Sequence, residues 1–558
     1  MESMREVIYK HALKNALDYG RADSRAVLGK VLAELPEMRK KVNEILPAVE
    51  EVLREVNSLP KEKLSEEIKK YEFIEKKEKR TELPELPNAE NVVLRFAPNP
   101  SGPLHIGHCR AAILNDEYAK KYNGKFILRL EDTDPARVDP RAYDAILHDL
   151  EWLGVSINEI VIQSDRLEMY YEYAKKLIEL NVAYVCTCSQ EEFRKLRNRS
   201  IACKCRKNST AENLRRFAKM FKEYKEGEAV ARVKTDLKLP DPAMRDFVIL
   251  RITDEPHPRV HRRVYPLYNF SVAVDDHLMN VTHVLRGKDH VINTRKQEFI
   301  YDYFGWKKPE FIHYGLLKIE GLELSTSLMA KGIKEGIYSD WSDVRLGTLL
   351  AMKRRGIQPE AIRKAMLDVG IKDTGISFSW KNLYAYNRGI IEPKANRYFF
   401  VSSPRELLVE GCADKTVYAP LHPDFPERGK RKLEIKTEQK KARVYISQQD
   451  FEAFKIGEVV RLMEAFNIEI LRIEENKVFA KFHSDSLEEA RRRKAKLVHW
   501  VPEENVRARV IAPEGTIEGL GEANVRNLRA GNIVQFERFG FVRIDEAQKE
   551  TVAYFAHK

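Results

Sequence analysis

The stretch RFAPNPSGPLHIGH, residues 95–108, decides how we interpret the fold of this chain. It continues the apolar run NVVLRF at 91–96 and precedes CRAAILNDEYAKKY at 109–122, which has helical spacing. His105 and His108 therefore lie where a buried strand turns into a helix. Parallel α/β sheets bind nucleotides at such junctions, because the first amides of the helix and its dipole attract phosphate. The stretch predicts a parallel α/β domain with a nucleotide site.

Composition and charge narrow the class of protein further. The chain has 558 residues and is 43% hydrophobic, which is enough for several domains. Lysine and arginine outnumber aspartate and glutamate by 97 to 85, and the net charge of +12 favours an anionic partner, nucleic acid first. No run of about 18 apolar residues occurs and the N-terminus is too polar for a secretory signal, so we expect a soluble cytoplasmic protein with no membrane partner. Six cysteines in this length do not predict a disulfide framework.

The hydrophobic pattern changes along the chain and divides it into regions. Residues 1–80 have helical spacing, with helix starts at Asp23 and Pro36, and the charged stretch 81–90 is typical of a linker. Strands then alternate with helices, which predicts a Rossmann-type α/β domain in two halves. The predicted boundaries are 91–183 and 265–335 for the halves, 184–264 for an inserted domain, 336–395 for a helical domain and 396–558 for small β-barrels.

The two histidines suit phosphate binding. At the first turn of a helix, His105 and His108 can donate to phosphate oxygens, assisted by free backbone N–H groups and by the positive end of the helix dipole. Gly107 between them leaves room for an adenine or a ribose to approach. The alternative is that both histidines only cap the helix and pack. We favour nucleotide binding, because the two occur in one tetrad at a strand-to-helix turn.

Four stretches together resemble one family. RFAPNPSGPLHIGH contains the His-Ile-Gly-His motif of class I aminoacyl-tRNA synthetases, and it is joined by LRLEDTDP, by YPLYNFSVAVDDHLMNVTHVLRGKDH and by LGTLLAMKRRGI. The set is similar to the archaeal type of glutamyl-tRNA synthetase over nearly the whole chain. This resemblance implies a class I catalytic domain with an inserted acceptor-binding domain and a helical stem-contact domain. It also implies two C-terminal anticodon-binding β-barrels and an N-terminal helical appendage.

The resemblance implies a glutamate pocket made of Arg95, Glu131, Tyr268 and Arg286. The two arginines would hold the substrate carboxylates, Glu131 would accept from the α-ammonium group, and Tyr268 would form a wall. A guanidinium binds a carboxylate through charge-assisted bonds, whereas the amide of glutamine would turn a donor toward it. Related glutaminyl enzymes lack an arginine at the position of Arg286, so we predict glutamate as the substrate. A surface salt bridge is the alternative for Arg286 taken alone.

The second class I element is a mobile lysine-bearing loop that stabilises the leaving pyrophosphate. The matching stretch is LELSTSLMAKGI, residues 322–333, in which Ser325, Thr326 and Ser327 stand where the family has Ser-Lys-Ser or Ser-Lys-Arg. Thr326 replaces the usual lysine, and Lys331 follows five residues later. We expect the hydroxyls and amides of this loop to bind ATP phosphates and Lys331 to serve as the catalytic lysine.

The reaction that the resemblance implies needs no covalent enzyme intermediate. The glutamate carboxylate attacks the α-phosphate of ATP and pyrophosphate leaves, while His105, His108, the loop and Mg²⁺ neutralise the phosphate charge. A ribose hydroxyl of the 3′-terminal adenosine of tRNA, expected to be the 2′-hydroxyl, then attacks the mixed anhydride. In this family the first step commonly requires bound tRNA.

Four cysteines form two close pairs in the insertion: Cys186 with Cys188, and Cys203 with Cys205. Two such pairs can close a loop around one tetrahedral zinc ion, and unliganded thiols are the alternative. Basic residues surround the pairs, which suits contact with the phosphates of an RNA acceptor stem. They are Arg194, Lys195, Arg197, Arg199, Lys204, Arg206 and Lys207.

Three functions compete at this point. The first is a glutamyl-tRNA synthetase that charges tRNA(Glu), and the sequence leaves open whether it also charges tRNA(Gln) and passes that product to an amidotransferase. The second is a glutaminyl-tRNA synthetase, which Arg286 disfavours. The third is a catalytically silent tRNA-binding paralogue, which only the missing loop lysine suggests. The N-terminal helices suit docking either to another synthetase or to the body of the enzyme.

Overall fold

A computed structural model describes residues 4–35, 38, 42–71 and 83–558 of the chain. Two compact units are present, Met1–Glu82 and Leu83–Lys558. Pro36, where the sequence predicts a helix start, lies outside the described residues, as do residues 81 and 82 of the predicted linker. Within the described part of the chain, no helix is long and apolar enough to cross a membrane. The domain boundaries given above stay predictions.

The first unit is helical. It contains α1 (Met4–Tyr19), α2 (Ser24–Glu34), α3 (Val42–Asn57) and α4 (Lys61–Glu67). The predicted start of α2 is confirmed, because the carboxylate of Asp23 caps the helix by accepting from the N–H of Ala26 at 3.0 Å. The side chain of Asn57 exchanges two hydrogen bonds with the backbone of Ala22 and so joins the end of α3 to the start of α2. Apolar side chains of all four helices form the core.

The second unit begins with alternating strands and helices around a parallel sheet. They are β1 (Val93–Phe96), α5 (Ile106–Lys121), β2 (Lys125–Leu130), α6 (Ala142–Trp152), β3 (Glu159–Ile162) and α7 (Leu167–Glu179). Strand β2 lies between β1 and β3 and is parallel to both. Five of the six residues of β2 are buried, as expected for a central strand covered on both faces.

An antiparallel sheet follows in the region where the sequence predicts an insertion. The elements are β4 (Ala183–Cys186), α8 (Gln190–Asn198), α9 (Thr210–Met220), β5 (Val230–Val233), β6 (Val248–Ile252) and β7 (Val264–Pro266). The four strands pair in sequence order. Their apolar faces share one core with α7, with α9 and with buried side chains between residues 270 and 301, so this sheet packs directly onto the part of the chain that follows it.

The parallel arrangement then resumes. The elements are α10 (Tyr268–Leu278), β8 (His283–Gly287), α11 (Val291–Phe304) and β9 (Glu310–Tyr314), with β8 parallel to β9. The backbone of Thr282, just before β8, donates to the carbonyl of Val93 at 3.0 Å, and the hydroxyl of Thr282 accepts from the N–H of Val93. These bonds hold β8 beside β1, so the strands of both halves end at the same edge.

A mostly helical stretch connects this sheet to the C-terminal region. It contains β10 (Leu317–Lys318), α12 (Thr326–Lys334), α13 (Leu349–Arg355), α14 (Pro359–Val369), β11 (Ile376–Ser377) and α15 (Trp380–Ile391). Two backbone bonds join it to the start of α5: the N–H of Ile106 donates to the carbonyl of Gly347, and the N–H of Leu349 donates to the carbonyl of Leu104, each at 2.9 Å. The stretch LGTLLAMKRRGI therefore supports the histidine tetrad directly.

The C-terminal third is β-rich. Its first part contains β12 (Arg397–Tyr398), β13 (Phe400–Ser402), β14 (Arg405–Glu410), β15 (Lys415–Pro420), β16 (Lys430–Ile435), β17 (Thr437–Glu438), β18 (Lys441–Ile446), α16 (Gln448–Ala453), β19 (Val459–Leu462), β20 (Asn467–Ile473) and β21 (Lys477–Ser484). Its second part contains α17 (Leu487–Arg492), β22 (Leu497–Val498), β23 (Val501–Pro502), β24 (Asn505–Ala512), β25 (Gly515–Glu522), β26 (Ile533–Phe536), β27 (Gly540–Glu546) and β28 (Thr551–His557).

Two large sheets form from these strands, in the region for which the sequence predicts β-barrels. One runs in the order β17-β18-β14-β21-β20-β19-β22, with β23 also paired to β18. The other runs in the order β12-β26-β27-β28-β24-β25-β13. The last strand returns to the helical stretch, where the guanidinium of Arg355 donates to the carbonyls of Phe555 and Ala556 at 3.2 and 2.8 Å.

Candidate active site

A cleft of about 940 Å³ opens where the parallel strands end. Its walls come from residues that follow β1, β2, β8 and β9, together with the first turn of α5 and part of the antiparallel sheet. Parallel α/β folds bind ligands at this edge of the sheet. Seven of the residues singled out in the sequence line the cleft: Arg95, Gly107, His108, Glu131, Arg197, Tyr268 and Arg286.

The two histidines organise the first turn of α5. His105 is the N-cap, and its Nδ1 accepts from the N–H of Gly107 at 3.1 Å. The Nδ1 of His108 accepts in turn from the N–H of His105 at 3.2 Å, which completes a reciprocal capping box. The rings stack with their centroids 3.7 Å apart. Because each Nδ1 accepts, the proton of each neutral ring lies on Nε2, which is left to donate.

Both imidazoles are neutral at physiological pH. Burial lowers the pKa of His105 to about 4. Burial and the neighbouring ring lower the pKa of His108 to about 3. Gly107 is required by the stacked arrangement, since a Cβ at this position would lie 2.9 Å from the His105 ring. The first turn therefore offers neutral N–H donors beside the positive end of a helix dipole.

A buried acid supports the approach to this turn. The carboxylate of Asp149, on α6, accepts from the N–H of Leu104 at 2.8 Å, one residue before His105. Asp149 is 4% exposed, and burial raises the pKa of its carboxyl to about 7. The sequence analysis did not single out this residue. The sequence feature that could have indicated Asp149 is an acidic side chain on the apolar side of the helix AILHDLEWLG.

A buried network of charges lies at the floor of the cleft. Arg129, on β2, donates to Glu131 at 3.0 Å and to Asp276 at 2.6 Å, and its side chain is fully buried. Arg95, on β1, donates to the same oxygen of Asp276 at 3.4 Å. The sequence analysis missed Arg129 and Asp276. The signal for both is a charge inside an apolar run, FILRL for the arginine and SVAVDDHL for the aspartate.

Glu131 combines burial with cationic neighbours. Burial is the larger effect and raises the pKa of this carboxyl to about 6, although Arg129 and Arg95 oppose the shift. Its backbone is fixed by the loop after β1, because its N–H donates to the carbonyl of Pro98 at 3.0 Å and its carbonyl accepts from Asn99 at 2.8 Å. Glu131 is a carboxylate at neutral pH and a carboxylic acid in mildly acidic solution.

Arg286, on β8, faces the cleft from another side. Its side chain is 6% exposed, and one terminal nitrogen, Nη2, donates to Thr294 at 2.6 Å and to Gln297 at 2.8 Å. The other terminal nitrogen lies 3.4 Å from the hydroxyl of Tyr268. The Nε of Arg286 is buried and has no partner among the described residues. Tyr268 begins α10, so this pair joins the two elements across the cleft.

The serine-rich loop after β10 lies outside the lining of the cleft but contacts the loop that precedes His105. Ser325 caps α12 by accepting from the N–H of Leu328. A Cβ on Gly102, three residues before His105, would lie 2.8 Å from Cγ2 of Thr326, so the two loops are in contact. Ser327 lies within hydrogen-bond distance of Ser325. Lys331 is 69% exposed, and its ammonium lies 3.7 Å from Glu335.

The four cysteines of the insertion converge. Their sulfur atoms all lie within 4.8 Å of one another, and all four side chains are buried. The sulfurs of Cys186 and Cys203 are 3.9 Å apart, as are those of Cys188 and Cys205. They form the only group of three or more potential metal-ligating side chains found among the described residues.

Comparison with known proteins identifies the family. The model described as "tRNA synthetases class I (E and Q), catalytic domain" matches residues 91–393, and two anti-codon binding domain models of the same family match 395–485 and 497–545. The chain belongs to this family. The resemblance to archaeal glutamyl-tRNA synthetases is confirmed as well, because archaeal relatives match over the full length of the chain.

Two of these relatives are the glutamate–tRNA ligases of Methanocaldococcus jannaschii and Thermococcus kodakarensis. They are 52% and 51% identical, and the match covers 100% of this chain and of each relative. Among solved structures, a glutamate tRNA ligase from Elizabethkingia meningosepticum, crystallised in complex with its amino acid, is 23% identical with a TM-score of 0.42. That match covers 55% of this chain and 71% of the solved chain.

The family match places the cleft within a class I catalytic domain and the C-terminal sheets within anticodon-binding domains. The chain is therefore an aminoacyl-tRNA synthetase. Inside the class I catalytic domain, the structure brings the four residues predicted to form the glutamate pocket to one cleft, together with Gly107 and His108. His105 caps the helix beside this cleft. The loop residues Ser325, Thr326, Ser327 and Lys331 lie apart from that cleft, and their roles stay predictions.

Proposed function

We propose that this chain ligates L-glutamate to tRNA(Glu), with ATP as the energy source. The observation that carries this conclusion is the environment of Arg286, a buried guanidinium that faces the cleft and has no carboxylate partner among the described residues. A substrate carboxylate supplies the missing charge, whereas a glutamine amide would place a donor against another donor. The names of the full-length relatives agree with this assignment.

The glutamate molecule would lie between the remaining pocket residues. The α-ammonium group donates to Glu131, which is ionised at neutral pH. Arg95 neutralises the α-carboxylate before that group attacks, and Tyr268 closes the wall next to Arg286. Beneath them, Arg129 pairs with Asp276 and with Oε1 of Glu131, so it fixes the Glu131 carboxylate and leaves Oε2 for the substrate.

ATP would bind at the first turn of α5. The Nε2–H groups of His105 and His108 donate to the phosphates, and Gly107 allows the ribose or the adenine to approach. Mg²⁺ enters with ATP on the phosphate oxygens, since this ion keeps few protein ligands in nucleotide sites. The N-terminus of α12, with Ser325, Thr326 and Ser327, supplies further N–H and hydroxyl donors.

The chemistry follows from positioning and charge. The substrate α-carboxylate attacks the α-phosphorus of ATP, the bond to the bridging oxygen breaks, and pyrophosphate carries away the electron pair. The 2′-hydroxyl of the terminal adenosine then attacks the activated carbonyl and releases AMP. The protein aligns the reactants and contributes no covalent nucleophile. We assign Lys331 to the leaving pyrophosphate, which requires α12 to approach the cleft.

Aminoacylation with labelled amino acids tests the proposal. The enzyme is offered tRNA(Glu) or tRNA(Gln) transcripts with glutamate or glutamine, in parallel with Arg286→Ala. We expect glutamate on tRNA(Glu), and a loss of about a hundredfold in kcat/KM for glutamate in the variant, because a charged hydrogen-bonded contact is removed. Glutamate on tRNA(Gln) as well would mean that an amidotransferase uses the product.

Two alternatives have distinct outcomes in the same assay. Charging with glutamine would make the chain a glutaminyl enzyme and would overturn the argument from Arg286. No charging at all would leave a catalytically silent tRNA-binding protein. The ordered cleft with its paired charges favours an active enzyme over that alternative.

We also propose that Cys186, Cys188, Cys203 and Cys205 hold one structural zinc ion. Tetrahedral zinc thiolates with bonds of about 2.3 Å have sulfurs about 3.8 Å apart, close to the two separations of 3.9 Å. A disulfide needs sulfurs about 2.0 Å apart, which these are not. The ion would fix the basic loops of the insertion, which we assign to the phosphates of the acceptor stem.

Metal analysis tests the zinc proposal. The purified enzyme is expected to contain about one zinc per chain, and Cys203→Ser is expected to lower that content well below one, because three thiolates bind zinc more weakly than four. Cys412→Ser is the matched control, since Cys412 is buried elsewhere. Equal zinc content in both variants would contradict the assignment.

A further inference from the structure

Among the arginines at the cleft and its floor, Arg95, Arg129 and Arg286 differ in their counter-charges. Arg129 lies within 4.0 Å of three carboxylates, those of Glu131, Asp275 and Asp276. Arg95 shares Asp276 at 3.4 Å. Arg286 has no carboxylate within 4.0 Å among the residues that the structure describes, and both atoms that accept from its Nη2 are neutral.

Those neutral acceptors are specific in their placement. Thr294 and Gln297 lie one turn apart on α11, and both accept from the same nitrogen of Arg286. Gln297 is fully buried. Its amide nitrogen donates to Asn269 at 3.3 Å, which turns its carbonyl oxygen toward the guanidinium. The uncharged oxygens of Thr294 and Gln297 therefore hold the guanidinium of Arg286 in place from the side of α11.

The side of Arg286 opposite these acceptors is left without strong partners. Its Nε is buried without an acceptor, and its Nη1 has only the hydroxyl of Tyr268 at 3.4 Å. A buried cation without a counter-ion is costly, and the cost is relieved when an anion enters. A carboxylate at the position of Gln297 would relieve the same cost permanently.

We propose that Gln297 is a positioning residue that determines specificity for glutamate. Its uncharged carbonyl fixes Arg286 without neutralising it, so that the side-chain carboxylate of glutamate supplies the counter-charge. This inference rests on the proposed function and extends it from Arg286 to the residue behind it. A helix residue that does not itself contact the amino acid thereby selects a charged substrate over its amide.

Two substitutions at one position separate charge from structure. Gln297→Glu keeps the size of the side chain and adds a carboxylate beside Arg286. Gln297→Met keeps similar length and removes the acceptor without adding charge. For Gln297→Glu we expect the KM for glutamate to rise about tenfold or more and the preference for glutamate over glutamine to fall by a similar factor. The KM for ATP is expected to stay within about twofold.

The methionine variant gives the contrast. We expect Gln297→Met to raise the KM for glutamate by only a few-fold and to retain the preference, because Arg286 keeps its charge and its bond to Thr294. Equal loss in both variants, or a change in the KM for ATP, would show a merely structural role and would overturn the inference. An unchanged KM and preference in Gln297→Glu would overturn it as well.

Thr294→Asp provides a second test at the other acceptor, and the same rise in KM and fall in preference are expected there. If Gln297→Glu does not fold, Thr294→Asp tests whether a neutral acceptor of Arg286 is needed. An unaltered preference for glutamate over glutamine in Thr294→Asp would then count against the inference. The unmodified enzyme keeps the two proposals distinct. If it does not charge glutamate, the proposed function fails. If the unmodified enzyme charges glutamate, and Gln297→Glu and Thr294→Asp have the same KM and preference as the unmodified enzyme, only the role of Gln297 fails.

Discussion

At the scale of single residues, burial and neighbouring charges give the ionisable side chains of the cleft different protonation states, which the sequence alone does not show. Burial keeps His105 and His108 neutral, so the role that we propose for them is to donate hydrogen bonds to phosphate without adding positive charge. Burial also raises the pKa of Glu131 to about 6, close enough to neutrality for an effect on activity. Arg129 keeps its charge through its carboxylate partners. Each state follows from the balance of desolvation and neighbouring charge.

Glu131 predicts a specific pH dependence. Its pKa is raised, so the carboxylate that we assign to the substrate ammonium is present above about pH 6 and is protonated below it. The KM for glutamate is therefore expected to rise as the pH falls from 7 to 5. The KM for ATP should change much less over that range, because the pKa values of His105 and His108, about 4 and about 3, lie below it. Asp149, with a pKa of about 7, does titrate there, but its protonated carboxyl can still accept from the N–H of Leu104.

Steady-state aminoacylation kinetics at several pH values check this expectation. Glu131→Gln is the control, since it cannot titrate: its KM for glutamate should be high and independent of pH. A KM for glutamate that does not change between pH 7 and 5 in the unmodified enzyme would argue against the role assigned to Glu131.

At the scale of elements, the first turn of α5 is held from three directions. Asp149 on α6 fixes Leu104, the segment before α13 pairs with residues 104–106, and Thr326 at the start of α12 packs against Gly102. Tyr268 and Arg286 similarly join α10 to β8. The proposed nucleotide site is therefore a junction of elements that are far apart in the sequence.

The contact between Gly102 and Thr326 can be tested by enlarging the side chain at position 102. Gly102→Ala places a Cβ 2.8 Å from Cγ2 of Thr326, and overpacking of this kind costs about 1–3 kcal/mol. We expect a reduced kcat/KM for ATP, by about tenfold, because the loop before His105 or the start of α12 must shift. The measurement is glutamate-dependent exchange of pyrophosphate into ATP in the presence of tRNA.

A second substitution should restore part of that activity. Thr326→Ser removes the methyl group that Gly102→Ala would meet, so the double variant is expected to be more active than Gly102→Ala alone. The ring of Trp341 lies 3.1 Å from the same added Cβ, so the recovery should be incomplete. If Thr326→Ser gave no recovery, the contact between the two loops would not explain the loss.

At the scale of the whole molecule, the unit Leu83–Lys558 is continuous from the catalytic domain to the C-terminal sheets. Strand β28 returns to α13, where Arg355 donates to two backbone carbonyls of the strand and to the hydroxyl of Tyr384. Helix α13 begins directly after the segment that pairs with the histidine tetrad. The C-terminal region is thereby connected through one short helix to the first turn of α5, where we propose that ATP binds.

Arg355 is expected to stabilise this junction. Arg355→Met removes charged donors from two carbonyls, and each buried acceptor left without a donor costs about 1–3 kcal/mol. The midpoint of thermal unfolding should fall by about 3 °C or more. Arg355→Lys keeps the charge and one donor, so its loss should be smaller. Equal midpoints for the unmodified enzyme and Arg355→Met, measured by calorimetry on the full chain, would contradict a stabilising role.

The sequence by itself determined the class of fold and the principal motifs. A buried strand that turns into a helix at His105 is a local pattern, and local patterns depend on backbone preference and hydrophobic spacing. The pairing of cysteines at 186, 188, 203 and 205 is equally visible in the chain, and the structure brings their sulfurs together. The family resemblance named the pocket residues, four of which line one cleft.

Only the tertiary structure decided which charges are paired. Arg95, Arg129 and Arg286 are alike in sequence, yet one is saturated by carboxylates, one shares a carboxylate and one is held by neutral acceptors. Asp276 is 147 residues from Arg129 in the sequence, and Gln297 is a neutral residue on the helix after Arg286, so neither partner could be read from the sequence pattern. The physical reason is that pKa values and substrate specificity depend on burial and on the distances between side chains of different helices and strands. Both are set by the folded structure and cannot be derived from spacing along the sequence.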